Sequence, residues 1–187
     1  MPHLVTSEML RPPPLTTATW ITLGRALGAP VLLWSLQQPE PLSRWWSLGI
    51  FLGVSLTDWL DGYVARRFNQ VTDLGKLLDP LVDKLLVLAP LLALLDRGVV
   101  PAWGVYCIVA RELTIAGWRS RQKEVQGANL WGKAKTVSQI LAIALLIAPL
   151  PLTLQPWIQG SFYLAVGLTI VSGLIYLIPD SKRDSRL

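Results

Sequence analysis

Six apolar segments of roughly membrane-spanning length divide this chain, at residues 18–37, 44–67, 74–95, 99–118, 134–152 and 156–178. About 20 consecutive apolar residues suffice for a helix to cross the ~30 Å hydrocarbon layer of a bilayer. Without water, every backbone N–H and C=O must find its partner inside the protein. Helices therefore form from such segments. The expected fold is all-α: a polytopic membrane domain of six transmembrane helices over residues 18–178. A polar, Pro-rich tail at 1–17 would precede it and a basic tail at 179–187 would follow. A composition that is 52% hydrophobic and 16% charged agrees with this class. The first 17 residues have no apolar h-region and so do not read as a secretory signal peptide.

Basic residues set the expected orientation, because Lys and Arg are retained on the cytosolic side. Of the 17 Lys and Arg residues, only Arg44 and Arg97 fall on the side holding the loops after the first, third and fifth segments; Lys84 lies within the third segment. The remainder gather at the opposite ends, which places both termini in the cytosol. Trp45, Trp46, Trp103 and Trp157 mark the outer interface, and Trp118 and Trp131 the inner one. The single His3 lies in the tail and the single Cys107 in an apolar run, so a His/Cys zinc site is not expected.

The costliest feature is a set of four carboxylates at the membrane border. Asp58 and Asp61 lie three residues apart at the end of the second segment, and Asp79 and Asp83 four apart in the third. Each costs about 2.5 kcal/mol or more near the bilayer centre unless neutralised. On helices, each pair occupies one face, one turn apart. Asp oxygen is the ligand preferred by Mg²⁺ and Mn²⁺, so a divalent-cation site facing the cytosol is the economical compensation. Gly62 and Ala65 share the face of the first pair, and Gly75 lies one turn before Asp79. Small residues there leave room for a bulky polar ligand.

A second polar cluster runs from 110 to 136. Arg111, Arg119, Lys133 and Lys135 are candidates for an anion pocket beside the aspartates, since Arg and Lys are the usual phosphate ligands. Glu112 is adjacent to Arg111 and so is expected to point in a different direction; a structural ion pair is the simpler reading for it. A metal cluster, a phosphate pocket and lipid depth together suggest phosphoryl transfer involving a membrane-embedded substrate.

The pattern Asp58-x2-Asp61-Gly62-x2-Ala65-Arg66-x8-Gly75-x3-Asp79-x3-Asp83 resembles the signature of the CDP-alcohol phosphatidyltransferase family. The stretches ARE at 110–112 and WGKAKT at 131–136 resemble members that use glycerol 3-phosphate as acceptor. Near the N-terminus, Ala18 and Thr19 stand where that pattern has Pro and Asn, while Thr22 and Arg25 match it. The resemblance implies transfer of a phosphatidyl group from CDP-diacylglycerol to glycerol 3-phosphate, with release of CMP. It further implies that Asp58, Asp61, Asp79 and Asp83 hold two divalent ions, with Asp83 also the general base. Thr22, Gly62, Ala65, Arg66, Thr72 and Gly75 would form the CDP-diacylglycerol site, and Arg111, Arg119, Lys133 and Lys135 the glycerol 3-phosphate site. A homodimer is implied as well.

Other acceptors stay open at this point: phosphatidylglycerol, serine or inositol phosphate would use the same aspartate motif. A divalent-cation transporter would need acidic residues along a path to both faces, and the outer halves of the segments hold almost none.

Overall fold

A computed structural model describes the backbone of residues 17–68, 73–120 and 130–177, and the side chains of 24–40, 42–57, 81–118 and 131–175. The described residues form six α-helices and no strand. These are α1 (Thr17–Gln37), α2 (Pro41–Phe68), α3 (Asp73–Asp96), α4 (Ala102–Ser120), α5 (Leu130–Ile147) and α6 (Gln155–Leu177), with a short 3₁₀ turn at Leu152–Leu154 before α6. The expected all-helical architecture is observed. One segment, Leu152–Ile175, is long and apolar enough among the described residues to cross a membrane, with a mean hydropathy of 1.6.

Several helix boundaries differ from the sequence expectation: α2 begins at Pro41 rather than 44 and α5 at Leu130 rather than 134, and two further differences have a cause in backbone chemistry. The fourth segment was expected from residue 99, but the helix starts at Ala102. Gly98 has φ 66°, and its N–H bonds Leu95 O at 2.9 Å while Val99 N–H bonds Leu94 O at 2.9 Å. These two bonds around a left-handed glycine close α3 in a Schellman motif. Pro101 then offers its carbonyl to Gly104 and Val105 to open α4. The fifth segment was expected to reach residue 152, but α5 stops at Ile147. Pro149 and Pro151 lack N–H groups and disfavour α conformation in the preceding residues. By contrast, α1 runs through Pro30 and α3 through Pro80 and Pro90.

The helices pack as two triplets. α1 lies against both α2 and α3, and α6 against both α4 and α5; α2–α5, α3–α4 and α3–α5 contacts join the halves. The main core gathers Leu32, Leu36, Phe51, Leu91, Leu94, Ile143, Ile147 and Phe162. Buried polar pairs link neighbours within each triplet. Ser35 and Ser47 hydroxyls meet at 2.7 Å between α1 and α2. Gln139 Nε2 donates to Thr169 Oγ1 at 3.0 Å between α5 and α6. Such inter-helix bonds average about 0.6 kcal/mol in apolar surroundings.

The two arginines of the sparsely charged end close helix termini. Arg44 donates through Nε to Ile147 O (3.0 Å), and through Nη2 to Leu146 O (3.0 Å) and Ala148 O (3.4 Å). Arg97 Nη1 donates to Leu36 O at 2.6 Å. Cations placed on the last carbonyls satisfy orphan acceptors and oppose the negative end of the helix dipole. Only a cavity of about 50 Å³ lies between them, far below the few hundred Å³ of a typical ligand site.

All six helices also expose large hydrophobic side chains, among them Leu27 and Trp34, Leu52 and Leu56, Leu81 and Leu92, Tyr106 and Leu113, Val137 and Leu141, and Leu164 and Ile170. Exposed apolar side chains on every helix are the kind of surface that meets a membrane or a protein partner.

Close packing between α4 and α6 can be tested at Gly104. A Cβ there would meet Phe162 Cε1 and Cζ at 2.7 and 2.8 Å. Overpacking of this kind costs about 1–3 kcal/mol, against a helix-propensity gain of ~1 kcal/mol for Gly→Ala. Gly104→Ala is expected to lower the melting temperature in detergent. An unchanged or raised value would show that α4 and α6 do not meet in this register.

Candidate active site: a carboxylate helix pair beside a buried basic cluster

The aspartate motif falls on two helices. Positions 58 and 61 lie within α2, and 79 and 83 within α3, so the i, i+3 and i, i+4 spacings read from sequence are helical spacings in the fold. The side chains of Thr22, Asp58, Asp61, Gly62, Ala65, Arg66, Gly75, Asp79 and Arg119, and the whole of Thr72, lie outside the described residues.

Asp83 is described, and it has a partner that sequence reading did not assign. Arg25 of α1 donates through Nη1 to Asp83 Oδ1 at 3.0 Å. The guanidinium is buried, with 4% of the side chain exposed, whereas Asp83 is 46% exposed. Arg25 thus reaches out of the α1–α3 interface and fixes a carboxylate that faces outward. The pair spans two helices 58 residues apart in sequence. Its sequence signal was the match of Arg25 to the N-terminal pattern.

The second cluster assembles around Glu112 on α4. Its Oε1 accepts from Arg111 Nη1 at 3.4 Å and from Lys135 Nζ of α5. Adjacent residues on a helix diverge by about 100°, and the expectation was that Arg111 and Glu112 would point apart. Their long side chains instead turn towards each other and share one acceptor atom. Arg111 and Lys135 are 12% and 7% exposed. The stem of Arg111 runs along α6 at Gly173, where an added Cβ would lie 3.0 Å from Arg111 Cγ. Lys84 of α3 is close enough to Lys135 for a charge–charge interaction, which places this cluster near the helix carrying Asp83. Lys84 had no role in the sequence reading. Lys133 is exposed and lies two residues from Lys135, about 160° around the helix. The structure does not bring it to the trio.

Asp83 and the Glu112 cluster therefore belong to one end of the bundle, the end opposite Arg44 and Arg97. The donor set fits a hard divalent cation: four carboxylates at helical spacing on two helices, with no soft ligand at those positions. The basic cluster fits an anion with several acceptor oxygens.

Comparison with known proteins identifies the family. The chain belongs to the CDP-alcohol phosphatidyltransferase family, whose model matches residues 15–171. A CDP-diacylglycerol–glycerol-3-phosphate 3-phosphatidyltransferase of Bacillus subtilis is 46% identical over 133 residues, covering 68% of this chain and 69% of that protein. The protein of the same name from Pseudomonas fluorescens is 32% identical over 182 residues, covering 89% and 92%. A cardiolipin synthase (CMP-forming) of Streptomyces coelicolor is 36% identical over 140 residues, covering 71% and 65%.

The contact between Arg111 and α6 gives a test that leaves every charged residue in place. In Gly173→Ala the added methyl must displace the Arg111 stem by a few tenths of an ångström. Helix propensity favours the substitution by ~1 kcal/mol, so the protein is expected to fold. On the expectation that Arg111 binds the acceptor, its displacement should raise the KM for the acceptor several-fold, with the KM for the lipid donor unchanged. Equal kinetics for both proteins would separate Arg111 from the acceptor site.

Proposed function

We propose that this enzyme transfers the phosphatidyl group of CDP-diacylglycerol to sn-glycerol 3-phosphate, giving phosphatidylglycerol phosphate and CMP, in a plasma membrane that its six helices span. Family membership supports the reaction class. The observation that carries the choice of acceptor is the pair of buried cations, Arg111 and Lys135, gathered at the same end of the bundle as Asp83. A phosphorylated alcohol needs such a site and serine does not. Orientation follows from the basic residues, with the reacting end in the cytosol.

In this mechanism Arg111 and Lys135 bind the acceptor phosphate and hold the alcohol against the donor, and Arg119 would bind the same phosphate. Asp83, fixed by Arg25, takes the proton of the attacking hydroxyl. An alcohol is a weak nucleophile, and a positioned base contributes typically 10²–10⁴-fold. The hydroxyl oxygen forms a bond to the phosphorus that carries diacylglycerol, and the bond from that phosphorus to CMP breaks. Thr22, Gly62, Ala65, Arg66, Thr72 and Gly75 would line the donor's diphosphate and nucleotide. Asp58, Asp61, Asp79 and Asp83 would hold two Mg²⁺ or Mn²⁺ ions, which neutralise charge on the diphosphate when bound. Attack in one step, with no covalent enzyme intermediate, inverts configuration at phosphorus. A homodimer is the proposed assembly.

Purified protein supplied with CDP-diacylglycerol should release CMP with glycerol 3-phosphate, and a chelator should stop it. Release that requires phosphatidylglycerol, serine or inositol phosphate instead would replace the acceptor assigned here. A chiral donor phosphorus should invert; retention would mean a covalent intermediate. Asp83→Asn should lower kcat by about 10²–10⁴. It also weakens the contact with buried Arg25, so its melting temperature belongs beside the rate. A lost rate in a protein that melts like the original assigns the base, and a preserved rate removes Asp83 from that role.

A further inference from the structure

The arrangement around Glu112 is not that of a simple structural ion pair. Two cations from different helices converge on one carboxylate oxygen, Oε1. Among the described residues two cations face one carboxylate. Arg111 Nε is buried and has no hydrogen-bond acceptor among the described residues. An uncompensated buried charge and an unmatched buried N–H are both strongly unfavourable. A pair built for stability alone would need one cation and would leave neither. Among the described residues the trio has one carboxylate for two cations.

Glu112 has a further effect on geometry. Arg111 and Lys135 repel each other, and on separate helices nothing in their backbones holds their heads together. Sharing one oxygen sets both heads within reach of a single atom before any ligand arrives. The carboxylate also offsets the desolvation of two cations that are nearly inaccessible to water.

We infer that Glu112 is the positioning residue of the acceptor site: an internal counterion that holds Arg111 and Lys135 together so that they meet an incoming phosphate as one unit. The inference rests on the reading that these two cations bind the acceptor phosphate. It makes Glu112 a determinant of selectivity as well. A dianionic phosphate supplies further negative charge and an acceptor for Arg111 Nε, whereas a neutral alcohol supplies neither.

Glu112→Gln keeps the shape and removes the charge. It should raise the KM for glycerol 3-phosphate tenfold or more, leave the KM for CDP-diacylglycerol within twofold, and change kcat less than threefold. Inorganic phosphate should inhibit it more weakly than it inhibits the original protein. Glu112→Asp keeps the charge but shortens the reach, and should fall between the two. An unchanged or lowered KM for glycerol 3-phosphate in Glu112→Gln overturns the inference. So does a parallel rise in both KM values with a lower melting temperature, which would mark a scaffold role. If Glu112→Gln does not fold, Glu112→Asp decides alone: a threefold or larger rise confined to glycerol 3-phosphate supports the inference, and none overturns it. Arg111→Gln and Lys135→Gln separate the two layers of the argument. If they leave that KM unchanged, the acceptor-site reading fails. If they raise it and Glu112→Gln does not, the role of Glu112 alone fails.

Discussion

A polar group away from water must be satisfied by the protein itself, and this constraint organises the whole bundle. At one end it is met by fixed structural means. Arg44 and Arg97 cap the carbonyl termini of α5 and α1, and the Schellman turn at Gly98 closes α3. In the middle it is met by hydroxyl and amide pairs, Ser35–Ser47 and Gln139–Thr169. At the other end, among the described residues, it is met by ion pairs: Arg25 with a half-exposed Asp83, and Glu112 shared between two cations. In the proposed function, that is the end that receives the charged substrate.

Among the described residues, fully buried side chains run from Phe51, Leu91 and Ile147 near the capping arginines to Thr169 and Ser172 beside Gly173. This packing holds α4, α5 and α6 in register, and that register brings Arg111, Lys135 and Gly173 together from three helices. Positioning of charged groups by a packed apolar frame is a physical basis for preorganisation.

The helices and the two polar clusters were legible in the sequence because each rests on a local signal: segment length, charge distribution and i, i+3 or i, i+4 spacing. The family motif was legible for the same reason. The pairings were not. Arg25 and Asp83 are joined across helices, and nothing near residue 25 announces a partner at 83. Arg111 and Glu112 were expected to diverge because backbone direction was the available guide, whereas side-chain length decides the outcome. Arg44 and Arg97 counted only as charges on one side, and their role as caps depends on carbonyls about 100 and 60 residues away. The proline-rich stretch after Ile147 ended α5 earlier than its hydrophobicity suggested, because a missing N–H outweighs apolar character.

The arginine-capped end has a consequence for traffic. Among the described residues, the helix ends there are tied and the cavity between them is about 50 Å³, too small for a headgroup. In the proposed orientation, substrate would enter and product leave from the other end, and each new lipid would be released into the leaflet from which its precursor was drawn.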